Sequence, residues 1–148
     1  MFNKMSVRAF VVFVWLMMLV LPVRAGGVVF SDVKVAVNQQ TYLLEYATSF
    51  EQRAQGLMHR ESLCNSCGML FNFQKTRAVN MWMKNTLVPL DVAFIRADGF
   101  IVNIEAMQPH DLATTSSSGD VLYAWEMNQG WFAKNGIAVG DSITIIEK

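Results

Sequence analysis

The chain has 148 residues, 53% of them apolar and 16% charged, which excludes a disordered polypeptide. Twelve basic side chains balance twelve acidic ones, so the basic surface that a nucleic-acid binder needs is missing. Two cysteines are too few for a disulfide-built scaffold.

The first feature along the chain is an address. Lys4 and Arg8 precede an unbroken apolar run of twelve residues, Phe10 to Leu21. Pro22 ends it, and Val23-Arg24-Ala25 offers small or modest residues where a signal peptidase reads. A membrane-spanning helix needs about 20 apolar residues. Residues 1–25 are therefore expected to be a signal peptide cut after Ala25, with a retained anchor as the rival reading. No Cys follows the cut, so a lipidated N-terminus is not indicated. The remaining 123 residues carry nine basic and twelve acidic side chains. Residues 26–148 are expected to form a single compact β-rich domain that is periplasmic or secreted, off the membrane after cleavage and in an oxidising compartment.

Within that body, Val28 to Val37 is rich in Val and alternates, which predicts a strand. Asn38-Gln39-Gln40 is turn material, and Thr41 to Ala47 is a second strand completing a hairpin. Thr48-x-x-Glu51 has the spacing of a capping box and opens a short helix, Ser49 to about Gln55, closed near Gly56. Residues 57–68 look irregular. Met69 to Phe73 and Val79 to Lys84 read as strands. Asp98-Gly99 between two apolar runs predicts a two-residue type I′ hairpin. Thr114 to Gly119 is a small polar loop, expected to be mobile. Val121 to Met127 is a strand, residues 130–136 hold a helical turn or two, and Ser142 to Ile146 is the last strand. The fold class is mainly β with short helices (α+β), a small antiparallel sheet or barrel-like domain. No glycine-rich loop between a strand and a helix suggests a nucleotide.

Chemistry-bearing residues are sparse. Cys64-x-x-Cys67 in an exported chain defaults to a disulfide, with a redox pair, a metal site and free thiols as the alternatives. His59, Cys64 and Cys67 lie within nine residues, and His110 is a conceivable fourth zinc ligand. Met69, Met81 and Met83, with Met58, add thioethers that suit Cu(I). The plainer account is that Met81 and Met83 share the inward face of a strand, with Trp82 on the other. There is no nucleophile elbow and no His-Glu-x-x-His, so no catalytic residue is assigned and no cofactor is expected. His110-Asp111 reads as a polar loop rather than a base and its orienter.

Met81 to Asp91 is the most informative stretch. A greasy strand runs into Lys84, Asn85 and Thr86, then a turn fixed by Pro89, then Asp91 opening the next strand. Asn85 and Thr86 can close the loop by bonding their own backbone, and Lys84 can pair with Asp91. The same residues also offer an apolar wall, a cation and hydrogen-bonding groups to a small ligand.

These residues are familiar as a set. Arg53-x-x-Gly56-Leu57-Met58-x-Arg60, Gly68-Met69-Leu70-Phe71 and the block Met81 to Asp91 come first. Phe94-Ile95, Asp98-Gly99-x-Ile101, Glu126, Gly130, Gly136-Ile137 and Gly140-Asp141 follow. The chain resembles the bacterial and archaeal domain-of-unknown-function family numbered 192 over about residues 30–147. The resemblance implies a compact, mostly β fold with short helices, no assigned activity, and motif positions that include Arg53, Phe71, Trp82, Lys84, Asn85, Thr86, Asp91 and Glu126. Cys64 and Cys67 are outside that pattern, and Trp125 stands where the family usually has Leu.

Three kinds of function fit. The first is a non-catalytic periplasmic binding or accessory module, its polar pocket around Trp82, Lys84, Asn85, Thr86, Asp91 and Glu126. Its partner would be a small ligand or a periplasmic protein, not nucleic acid. The second is a copper or zinc handler using Met69, Met81, Met83, His59 and the cysteine pair. The third is an enzyme of unrecognised type, with Asp91, Lys84 or Glu126 as acid or base, marked by a shifted pKa in a closed cleft.

Overall fold

The computed structural model describes residues 26–146. The expected signal peptide, residues 1–25, lies outside them. Nine strands and two short helices follow one another in the described chain. They are β1 (Ser31–Val37), β2 (Gln40–Ala47), α1 (Phe50–Gln55), β3 (Gly68–Arg77), β4 (Asn80–Met81) and β5 (Leu90–Ile95). After these come β6 (Ile101–Met107), β7 (Thr115–Ser116), β8 (Val121–Asn128), α2 (Trp131–Lys134) and β9 (Thr144–Ile146). Seven strands form one sheet in the order β6-β5-β8-β3-β2-β1-β9, and β4 pairs with β7 beside it.

The fold is mainly β, in a curled sheet. It is not wholly antiparallel. β2 and β3 run parallel, with Glu45 opposite Met69 and Ala47 opposite Phe71. A parallel neighbour needs a crossover, and α1 with the irregular segment behind it supplies one. An isolated bridge between Phe100 and Ser142 joins the chain just before β6 to the chain just before β9. The two ends of the strand order are thereby drawn toward each other.

Because side chains alternate along a strand, the sheet carries two apolar layers. On the inside of the curl, Val35, Leu44, Leu70, Trp125, Met127 and Phe132 pack together. The other layer holds Met69, Phe71, Phe73, Met83, Val92 and Phe94, with Leu57 from the segment after α1.

The turns differ from expectation in an instructive way. The type I′ geometry sits at Asn38-Gln39, where both residues have positive φ (47° and 64°) between the paired residues Val37 and Gln40. At Asp98-Gly99 only Gly99 does, at 90°. Gly99 N–H donates to the Arg96 carbonyl at 3.0 Å and Arg96 N–H to the Phe100 carbonyl at 3.0 Å. This is a three-residue loop ending in a left-handed glycine, and the register slips at Ile95. The helix is capped one residue later than the spacing suggested. Ser49, not Thr48, is the N-cap, and it forms a capping box with Gln52 rather than with Glu51.

The strand expected over Val79 to Lys84 shortens to β4, because the chain leaves the extended state at Trp82. The Thr114–Gly119 loop is tied down by several bonds and by the pairing of β7 with β4. Ser117 Oγ accepts from Val79 N–H at 2.9 Å, and Ser117 N–H donates to the Val79 carbonyl at 2.9 Å. Asn103 brackets the loop through Ser116 O and Ser118 N–H, each at 3.0 Å.

Candidate functional site

Strand β8 lies in the middle of the sheet, between β3 and β5. Trp125 and Met127 point into the inner layer, so Ala124 and Glu126 point the other way. Directly opposite Glu126 are Met69 on β3 and Val92 on β5, both fully buried. A carboxyl therefore occupies a core position of the outer layer. It is 4% exposed, its oxygens are not sealed from solvent, and no ion pair engages it among the described residues. Desolvation pushes its pKa up from the ordinary carboxyl value to about 8.

Glu126 also borders a cavity of ≈ 320 Å³ between the sheet, α1 and the segment after β4. Phe71 and Phe73, two and four residues beyond Met69 on β3, form an apolar wall with Met81 and Trp82. Trp82 is half exposed and Phe50, on α1, is three-quarters exposed, so aromatic edges flank the mouth. Thr86 and Asn80 add polar atoms, and the cations along the lining are Arg53 and Arg77. Arg53 is already engaged. Its guanidinium donates to the carbonyls of Thr48 and, at 3.0 Å, Asn72, which stitches α1 to the sheet. Arg77 is exposed, lies 5.4 Å from the centroid of Phe73 and forms no ion pair among the described residues.

Of the six residues expected at a ligand pocket, three line this cavity: Trp82, Thr86 and Glu126. Lys84 is on the surface, its ammonium 5.3 Å from the centroid of the Trp82 ring. Asn85 serves the loop instead. It takes a positive φ of 53°, which Asn tolerates, and its carbonyl accepts from His59 N–H at 2.8 Å. Asp91 is on the opposite face of the sheet from Glu126, since its partner on β8 is Met127. Its Oδ2 accepts from Gly130 N–H at 2.8 Å, bracing the turn into α2. The expected Lys84–Asp91 pair does not form, and the two buried acids are not a carboxylate dyad.

The metal donor set is not assembled either. Cys64 and Cys67 are joined in a disulfide and offer no thiolate. Met69 and Met83 fill the outer core layer, Met81 packs against it, and His59 is exposed. No group of three His, Cys, Asp or Glu residues that could hold a metal occurs among the described residues.

The sequence reading missed Arg77, Phe73, Phe71 and Phe50 as lining residues. Phe71 and Phe73 could have been found from parity, since they share a face with Met69. Arg77 could not, because a register irregularity between Asn72 and Arg77 breaks the count.

The chain as a whole, rather than the cavity alone, places the protein in a recognised class. The model of the family DUF192, described as an uncharacterized ACR, matches residues 33–145, and the chain belongs to that family. Two solved structures are similar to it. One, from Sinorhizobium meliloti 1021, is provisionally described as a transcription regulator. It is 38% identical over 81% of this chain and 98% of its own, with a TM-score of 0.76. The other, a protein of unknown function from Novosphingobium aromaticivorans DSM 12444, is 30% identical over 82% of this chain and 89% of its own, with a TM-score of 0.71. No curated protein matches. No helix among the described residues is long and apolar enough to cross a membrane.

Proposed function

We propose that this protein is an exported, non-catalytic binding module, and that the cavity over Glu126 holds its small ligand. One observation carries the proposal: a buried carboxyl with no protein partner borders an open cavity. Such a group depends on whatever fills the cavity, and a bound molecule with a matching polar group would take the place of water there. The aromatic wall supplies apolar contact, and the volume is at the lower end of small-molecule sites, about 300–1,000 Å³. Nine basic against twelve acidic side chains over residues 26–148 favour this over DNA binding, despite the regulator description of the Sinorhizobium protein.

One feature favours a second reading. Glu126, with its pKa raised to about 8, suits a proton donor or acceptor, so an enzyme using it as acid or base is the alternative. Asp91 and Lys84 are removed from that role by their positions.

A screen of small fragments by amide NMR on the purified protein tests the binding role. Fragments are expected to shift the amides of Phe71, Phe73, Trp82 and Glu126, and to lose that effect in Trp82→Ala. Lys84→Ala should leave the same shifts intact. Fragments that leave the cavity amides unmoved, or that act equally on Trp82→Ala, would refute it. Export is tested separately by fractionation and N-terminal sequencing, with Gly26 expected as the first residue of the mature chain.

A further inference from the structure

Resting on the binding role proposed above, we infer that the ligand is a zwitterion of short-peptide size, entering amine first toward Glu126 with its carboxylate left at Arg77. The titratable side chains of the cavity are Arg53, Arg77 and Glu126. Arg53 spends its guanidinium on two backbone carbonyls. One acid at the inner end and one uncommitted cation toward the other end therefore set the polarity of the site.

The inner end favours a positive group. Glu126 is flanked by Met69 and Val92, so ionising it would leave a charge with nothing to balance it unless a ligand supplied a cation. An ammonium would do so and turn an unpaired buried acid into a charge-assisted pair. An anion at that depth would meet like charge or force the proton to stay. At the outer end, Arg77 lies over Phe73 with its guanidinium exposed, in the geometry that receives a carboxylate from solvent.

The separation sets the size. Arg77 is opposite Val121, five residues from Glu126 along β8. At a strand rise of about 3.3 Å per residue that is about 17 Å between backbones, a gap that the two side chains lining the cavity shorten. An extended dipeptide, about 7 Å long, bridges more of that gap than a single amino acid does. The apolar wall of Phe71, Phe73, Met81 and Trp82 then faces the side chains of the peptide.

The test uses phenylalanyl-leucine in four forms: free, N-acetylated, C-amidated and blocked at both ends. Binding is followed by amide NMR on the purified protein, on Glu126→Gln and on Arg77→Gln. The free form is expected to bind about ten- to a hundredfold more tightly than either singly blocked form. Glu126→Gln should abolish the penalty for acetylation but keep the penalty for amidation, and Arg77→Gln should do the reverse. Because Gln is nearly isosteric with Glu and Arg77 is on the surface, both variants are expected to fold, which their amide spectra report directly. If the doubly blocked peptide binds as well as the free one, or if Glu126→Gln still discriminates against acetylation, the zwitterion is wrong while the cavity remains a binding site. If neutral fragments bind the cavity and no form of the peptide does, the zwitterion again fails alone. If neither fragments nor peptides move the cavity amides, both proposals fall.

Discussion

Glu126 is the residue on which most depends. Its neighbours across the sheet are apolar, and burial raises its pKa to about 8. The folded state therefore holds this proton more tightly than the unfolded chain does. Stability should fall as pH rises from about 4.5 to about 8, then level off. Glu126→Gln removes the dependence. Urea unfolding is expected to show the two proteins nearly equal at pH 5 and the variant ahead by about 2–4 kcal/mol at pH 9. Asp91, by contrast, is engaged in holding the fold together. Asp91→Ala strands the Gly130 N–H and should cost about 1–3 kcal/mol by the same measurement. Both acids were legible in the sequence as unusual. Which of them faced a cavity was not, because that depends on the parity of β5 against β8, and a register set by tertiary pairing has no local signal. Lys84 and Asp91 looked like partners for the same reason: a loop's ends are close in sequence, while the faces they serve are decided by the sheet.

At the scale of elements, the contact between β3 and β8 positions the cavity. Gly68 begins β3 opposite Met127, and a Cβ there would lie 2.2 Å from both the Glu126 carbonyl oxygen and Met127 Sδ. Gly68→Ala must push the strands apart. It is expected to cost about 3 kcal/mol or more in urea unfolding and to disturb the amides around Glu126. The strands and α1 were readable from alternation and capping spacing, and their boundaries mostly fell within a few residues. The parallel placement of β2 beside β3 was not readable, because the intervening segment has only six helical residues and no periodic helix to announce a crossover. Turn types were half readable. Asp-Gly is a strong motif, yet the chain uses a wider loop there, with a register shift at Val102, while Asn38-Gln39 adopted the tighter turn with poorer residues for it.

For the molecule as a whole, the disulfide is a minor contributor. Cys64 and Cys67 close a loop of four residues, worth about 2 kcal/mol on chain entropy. Replacing both by Ser is expected to lower stability by about that amount in urea unfolding and to leave the cavity amides in place. Asn128 still holds the segment through the Cys64 carbonyl at 2.9 Å, a bond that needs no sulfur. The β-rich character was evident from composition and turn spacing. A barrel-like closure was among the expected forms; the bridge between Phe100 and Ser142 was not foreseen, since no short-range pattern encodes the encounter of those two residues. The seating of β9 against β1 has a consequence for biogenesis. Lys34, Val35 and Ala36 receive their second set of ladder partners from residues 144–146, more than a hundred residues further along the chain. Until those residues have been made, one side of the first strand is an open template, able to recruit a neighbouring nascent chain. Any cellular factor that shields emerging polypeptides would have its greatest effect on this edge.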